Sequence, residues 1–520
     1  MAAAMGATPN DTAGQGDLTH WLARPASAGG LVAALLIWLS GGQMLLWRFL
    51  DVAPWWAYAL GTAATLLIVG GVLRAMRGFP GGPSRGTLLT CILIALILLV
   101  LGGEGRFFYA NVDWQVRFAV LHDMGVNPWP FVYTHRPVPD VLRAPIGMFL
   151  APALVFKAFG PRAADIALLV QNALMIGIVL ALSSMLFATR RSRIVALVVF
   201  LVFSGMDAIG DLLINGAMSS HMEDWANIQY SSTVTLAFWV PQHALAGWIG
   251  AVGYMLWRRE QWPLIAFLAL LPMTALWSPL GLMGAMPFAA LAGVRTLLAR
   301  RLTVSDIAVP AMSSLMAIPG LFYMGAAGDD VGLRVIALPF TQWATFQALE
   351  TWPFLIPLLL AGSSARFGCD TLWLAFAWLM LIPIVQIGWS IDFMMRGSIT
   401  ALAIVAAMVA DKIAEGGAVR TWLLAVLAIG SLTGLSEIRR AFLFPAAPQV
   451  RCTFFKAWDQ NFAVFPKGSY LAPLPQMPAL IRPAHPALAS AQEPARCWDG
   501  QWPSPLNLDN DPSGGKNGVK

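Results

Sequence analysis

Residues 87–103 read TLLTCILIALILLVLGG, a run that contains no charged side chain. A helix of this length and composition is just long enough to cross the hydrocarbon core of a bilayer. Similar runs recur along the chain, which has 520 residues, 58% of them hydrophobic and only 12% charged. Because soluble domains carry about 25% charged residues, this composition predicts an all-α, polytopic transmembrane helix bundle.

The apolar runs predict about 13 membrane spans. They cover residues 31–49, 54–73, 87–103, 163–187, 194–214, 236–257, 262–278, 280–299, 304–324, 351–365, 371–388, 398–414 and 421–437. A further apolar segment, 146–160, is too short to span and contains Pro152 and Lys157. We expect it to form an interfacial or re-entrant helix on the outer face.

Basic residues predict the orientation of these spans. They concentrate in the connections after the second, fourth, sixth, eighth and twelfth spans, as Arg74, Arg77, Arg85, Arg190, Arg191, Arg193, Arg258, Arg259, Arg295, Arg300, Arg301, Lys412 and Arg420. Positive charge marks cytoplasmic loops. We therefore expect a protein of the bacterial inner membrane with its N-terminus in the cytoplasm and its C-terminus on the extracytoplasmic side. The net charge of +6 is then explained by basic residues in cytoplasmic loops, and we expect no nucleic-acid partner.

The expected organisation has three parts: a cytoplasmic tail 1–30, a transmembrane bundle 31–437 and a Pro-rich extracytoplasmic tail 438–520. The extracytoplasmic loops of the bundle are predicted at 104–162, 215–235, 327–350 and 389–397. Cys452 and Cys497 fall in the tail, in an oxidising compartment, where they either form a disulfide or stay unpaired.

The first outer loop contains VDWQVRFAVLHDM at 112–124, whose apolar residues have helical spacing. This pattern predicts an amphipathic helix on the outer membrane surface. Asp113 is the candidate general base, and Arg117, His122 and Asp123 are candidates for substrate binding. Asp113 and Arg117 are four residues apart, so a simple ion pair on the helix surface is the alternative.

The second outer loop offers His221, Glu223 and Asp224, and the apolar segment that follows begins with Gln242 and His243. Polar side chains at membrane depth are costly unless they face a cavity or a partner. We therefore consider all five for substrate binding. A metal site at the first three and a hydrogen-bonded helix contact at the last two are the alternatives.

A third outer stretch, IDFMMRGSITAL at 391–402, places Asp392 and Arg396 four residues apart. The planar guanidinium suits phosphate because its donors match two oxygens. An Asp–Arg pair that anchors the helix is the alternative. Asp207 and Asp211, near the outer end of the fifth span, are expected to line the same outer cavity.

The string VDWQVRFAVLHDM followed by NPWP resembles the first extracytoplasmic loop of GT-C superfamily glycosyltransferases. FWVPQHALAGW and DFMMRGSITAL resemble segments of bacterial membrane proteins placed near that superfamily. The resemblance covers residues 87–437 and implies an enzyme that uses polyprenyl-phosphate-linked sugars. It makes Asp113 the catalytic loop acid and Arg396 the contact to the lipid phosphate.

The resulting hypothesis is transfer of a hexosyl or pentosyl group at the extracytoplasmic face to a glycan, lipid or protein acceptor, with membrane lipids as further partners. The chain lacks an obvious paired-carboxylate motif at Asp113, so a divalent cation, Mg²⁺ or Mn²⁺, is left open. The alternatives are a lipid-linked glycan ligase or polymerase, and a transporter or flippase of envelope lipids. The sequence contains no GxxxxGK[ST] phosphate loop to support a nucleotide-driven activity.

Overall fold

The structure is a computed structural model with 72% helix and 4% strand. It describes residues 12–79, 81–326, 332–362, 366–388, 391–461, 467, 470–490, 493–494 and 497–498. Asp329 and Asp330, in the predicted loop 327–350, lie outside the described residues.

The helices are numbered in chain order. They are α1 (Thr12–Ala23), α2 (Ala28–Leu50), α3 (Trp55–Met76), α4 (Arg85–Leu101), α5 (Val112–Val126), α6 (Leu150–Phe159), α7 (Pro161–Ser183), α8 (Arg190–Val202), α9 (Asp207–Asn215), α10 (Thr233–Trp239), α11 (Pro241–Arg258), α12 (Leu264–Met273), α13 (Pro279–Leu298), α14 (Val304–Gly325), α15 (Phe340–Glu350), α16 (Trp352–Leu360), α17 (Cys369–Leu381), α18 (Asp392–Gly397), α19 (Ile399–Glu415), α20 (Ala418–Leu443) and α21 (Phe454–Asn461).

Six short strands form three two-stranded sheets. The strands are β1 (Phe131–Val132), β2 (Asp140–Leu142), β3 (Leu333–Val335), β4 (Val385–Ile387), β5 (Leu471–Pro473) and β6 (Ala487–Leu488). The pairs are β1 with β6 in parallel, and β2 with β5 and β3 with β4 in antiparallel orientation.

Seven helical segments among the described residues are long and apolar enough to cross a membrane, which confirms the prediction of a bundle of apolar helices. They are Ala28–Leu50, Trp55–Met76, Pro161–Leu186, Arg190–Asn215, Pro279–Leu298, Val304–Gly325 and Ala418–Leu443. Several of the other predicted spans form shorter apolar helices, namely Arg85–Leu101, Leu264–Met273 and Cys369–Ile384. The segment predicted as interfacial also forms a short apolar helix, Ile146–Phe159.

Proline interrupts the predicted span 236–257. The backbone leaves the helical conformation at Val240, and a new helix, α11, begins at Pro241. Proline lacks an N–H and is preorganised for the first helical position, so it starts a helix more readily than it continues one. The break exposes Val240 to the polar cavity described below.

Helix α11 is the central helix of the bundle. It packs against α7, α12, α13 and α19, and its residues from Pro241 to Leu256 are all buried. Close approach to α19 requires glycine, because a Cβ at Gly247 would lie 2.4 Å from the Ile399 side chain. The two ends of this buried helix adjoin the two cavities discussed below.

The C-terminal tail folds back onto the loop that follows α4. Strand β5 pairs with β2, β6 pairs with β1, and α21 packs against α5. Cys452 and Cys497 form a disulfide with a Cα–Cα distance of 4.7 Å. The disulfide closes a loop within the tail, and the paired strands join the tail to the loop.

Helix α5 forms where the sequence predicts it, but the prediction that it lies on the surface is wrong. Most of its residues are buried because α21 and the tail cover it. Asp123, a predicted substrate ligand, is fully buried beneath the tail. Its Oδ2 accepts hydrogen bonds from the Tyr133 hydroxyl at 2.6 Å and the Phe454 N–H at 2.8 Å. Asp123 therefore holds the tail in place.

Replacing Asp123 with alanine should destabilise the tail, since the change leaves two buried donors without an acceptor. We expect a loss of about 3 kcal/mol in the free energy of unfolding and faster proteolysis after α20. Thermal unfolding of the detergent-purified protein and limited proteolysis measure both effects. Asp459→Asn, at a 58% exposed carboxylate on α21, is the matched control. Equal stability of Asp123→Ala and the control would contradict this role.

Candidate functional site

A polar cavity of about 440 Å³ opens at one end of the bundle. It lies between the N-terminus of α5, helix α9, the loop 216–232, the α10–α11 break and α18. Its charged and polar lining residues are Asp113, Asp211, Asn215, Ser219, Ser220, His221, Asp224, Gln229, Ser231, Thr235, Asp392 and Arg396. Six of the residues predicted from sequence thus meet here: Asp113, Asp211, His221, Asp224, Asp392 and Arg396.

Asp113 lies in the first turn of α5, which Asn111 caps by accepting a hydrogen bond from the Asp113 N–H. Its carboxylate accepts a hydrogen bond from Arg117 at 2.7 Å. The Arg117 side chain is only 3% exposed, whereas that of Asp113 is 29% exposed and lines the cavity. The pair is therefore not a solvated surface pair. Arg117 orients Asp113 from behind and leaves the carboxylate accessible.

Arg396 and Asp392 form an ion pair along α18, and both line the cavity. The Arg396 side chain is 15% exposed. A guanidinium that is paired on one edge still has donors on the other edge to offer to an anion. Arg396 thus supplies positive charge to the same cavity that contains Asp113.

His221 adds a second cationic group. Its Nδ1 is 2.9 Å from Glu437 Oε1, and its ring lies against the indole of Trp239, with centroids 4.6 Å apart. Burial alone lowers the pKa of His221, but the hydrogen bond and charge of Glu437 outweigh it and raise the pKa to about 9. The ring is therefore an imidazolium at neutral pH, and its Nε2 lies 3.9 Å from Asp224 Oδ1 at the cavity.

Glu437, near the C-terminal end of α20, holds together the side chains around His221. It accepts hydrogen bonds from the Trp239 indole and from Arg440, each at 2.9 Å, as well as from His221. Arg440 in turn donates to the Tyr109 hydroxyl at 3.2 Å. The sequence analysis did not identify Glu437 or Arg440 as site residues. The available signal was a charged Glu–Arg pair in the last turns of an otherwise apolar helix.

A layer of buried carboxyl groups lies behind the cavity wall. Asp207 accepts hydrogen bonds from Ser204 at 2.7 Å and Thr433 at 2.9 Å, and it is hydrogen-bonded to Glu350. Glu223 accepts from the Ser232 N–H at 2.8 Å, and burial raises its pKa to about 8. Glu223, a predicted substrate ligand, and Asp207, which was expected to line the cavity, thus support the wall. Asp211 lines the cavity as predicted.

The remaining predicted residues lie outside the cavity lining. Gln242 and His243 are buried in the first turn of α11, where His243 Nδ1 is 2.7 Å from the Ser278 hydroxyl. For His243 this is the helix-contact alternative considered above, whereas Gln242 Oε1 is buried without a hydrogen-bond partner among the described residues. His122 neighbours Asp123 under the tail, with 3.4 Å between Nδ1 and Oδ1.

The part of the chain that the structure describes contains no group of three or more His, Cys, Asp and Glu side chains that could hold a metal ion. The cavity does present the carboxylates of Asp113, Asp211, Asp224 and Asp392 to one space.

Comparison with known proteins adds no relative. No protein-family model, curated protein or solved structure matches this chain.

The His221–Glu437 contact should make stability depend on pH. Because the folded-state pKa of about 9 exceeds the ordinary value of 6.5, the contribution is full below pH 6.5 and is lost as the pH rises through about 9. It amounts to at most about 3 kcal/mol. The stability difference between wild type and His221→Gln should therefore shrink from about pH 6 to about pH 10, measured by thermal unfolding. His485→Gln, at an exposed histidine, is the control. A difference that stays constant across this range would contradict the assignment.

Proposed function

We propose that the protein is a membrane glycosyltransferase that moves a sugar from a polyprenyl-phosphate donor to an envelope glycan, lipid or protein acceptor. The observation that carries the proposal is one cavity in which an accessible carboxylate, Asp113, meets two cations, Arg396 and His221. A carboxylate suits deprotonation of a hydroxyl, and paired cations suit a phosphate leaving group.

The proposed site faces the extracytoplasmic side. The polar cavity adjoins the start of α11, while Arg258 ends the same helix at the opposite end of the bundle. Arg190 and Arg193, at the start of α8, lie near that opposite end as well, because they line a cavity together with Met255. Clustered arginines mark the cytoplasmic side, which supports placing the polar cavity on the other one.

In the proposed reaction the acceptor hydroxyl attacks the anomeric carbon of the donor sugar. Asp113 accepts the hydroxyl proton as the new carbon–oxygen bond forms. The bond from the anomeric carbon to the phosphate oxygen breaks, and the polyprenyl phosphate departs with the electron pair. Direct displacement inverts the anomeric centre.

The cations stabilise the charge that develops on the departing phosphate. Arg396 is positioned by Asp392, and the His221 imidazolium is positioned by Glu437. Preorganised donors of this kind need no rearrangement as the charge develops, which is why they lower the barrier. Arg117 has a different role, since it orients the general base Asp113 and does not contact the leaving group.

Asp113→Asn should abolish transfer while the protein still folds, because the amide keeps the shape of the side chain but cannot accept the proton. We expect a loss of about 10²-fold or more in kcat. The assay uses proteoliposomes with polyprenyl-phosphate mannose, glucose or arabinose, an acceptor glycan, and parallel samples with and without EDTA.

The matched control is Asp51→Asn, at a 62% exposed aspartate that ends α2 away from the cavity. It should retain wild-type transfer. Full transfer by Asp113→Asn would remove Asp113 from the mechanism. Counterflow of lipid-linked substrate without bond cleavage would favour the transporter instead.

A further inference from the structure

A second cavity, of about 550 Å³, lies between α4, α7, α8, α11 and α19. Unlike the polar cavity, it is lined mainly by apolar side chains, among them Val179, Leu186, Ile194, Phe200 and Trp248. We call it the apolar cavity. It adjoins the half of α11 that leads to Arg258, so the two cavities lie toward opposite ends of the central helix.

The mouth of the apolar cavity is basic. Arg190 and Arg193, in the first turn of α8, both line it. Arg193 is held in place because its Nε donates to the Phe187 carbonyl at 2.9 Å. Arg190 is exposed. An apolar space with two arginines in its lining has the charge pattern of a site for an anionic lipid.

The start of α8 carries positive charge that its own helix does not offset. Arg190, Arg191 and Arg193 fall in its first turn, which contains no acidic residue. The helix dipole places partial positive charge at the same end, so it disfavours the three arginines there. The arginines also repel one another. An anionic group bound at this point would offset the repulsion.

The flanks of the cavity are suited to contact with lipid tails. Ile194 and Val198 on α8 are each 53% exposed, and Leu89 and Leu93 on α4 are 49% and 54% exposed. In a bilayer these side chains face hydrocarbon, so an acyl chain reaches the apolar cavity without leaving the membrane.

We propose that the apolar cavity binds an anionic phospholipid of the surrounding bilayer, with its phosphate at Arg190 and Arg193 and an acyl chain along α11. The site requires only that the chain spans a membrane, and it is independent of the proposed glycosyl transfer. Bound lipid would brace α8 against α11, which both line the apolar cavity.

Binding of dioctanoyl phosphatidylglycerol to the full-length protein in neutral detergent tests the proposal. We expect saturable binding by native mass spectrometry and a rise in Tm, with dioctanoyl phosphatidylcholine giving neither. Arg190→Gln should weaken binding at least about fivefold, as expected for one cation at a lipid phosphate.

Arg420→Gln is the matched control, because it removes the same charge from an exposed arginine in the first turn of α20, which does not line the cavity. It should bind like wild type. Ala407→Phe, which narrows the cavity from α19, should also reduce binding. Equal weakening in the two arginine variants, equal binding of phosphatidylcholine, or saturable binding of polyprenyl phosphate alone would overturn the proposal.

Discussion

Glu437 is the acceptor at which distant parts of the chain meet. A carboxylate buried in an apolar bundle is costly unless its oxygens are fully hydrogen-bonded, and Glu437 obtains its donors from His221, Trp239 and Arg440. These residues belong to the loop 216–232, to α10 and to α20 itself. One buried charge therefore fixes the loop against the helices and gives the polar cavity its wall.

The same requirement explains the state of His221. A histidine on a flexible loop would titrate near neutral pH, but the contact with Glu437 keeps this ring protonated and oriented. The ring then contributes positive charge to the cavity that Arg396 also lines, and Asp392 orients Arg396 in turn. In the proposed transferase these two cations stabilise the leaving phosphate, and Asp113 deprotonates the incoming hydroxyl.

The sequence predicted those features that depend on residues close together in the chain. Apolar runs predicted the helices, and the four-residue spacing offered the Asp113–Arg117 and Asp392–Arg396 ion pairs as alternatives, both of which form. It did not predict contacts between distant residues. Glu437 and His221 are 216 positions apart, and Phe454 lies 331 positions from Asp123. Periodicity within one helix contains no information about such partners, so Asp123 was misread as a substrate ligand and α5 as a surface helix.

The central claim is that the phosphate of a lipid-linked sugar binds between Arg396 and His221 with its sugar toward Asp113. A cryo-electron microscopy map of the protein in nanodiscs with a non-hydrolysable polyprenyl-phosphonate sugar tests this most directly. The account predicts phosphonate density in contact with both cations and the anomeric carbon facing Asp113. Density for the phosphonate elsewhere, with the polar cavity filled only by solvent, would contradict it.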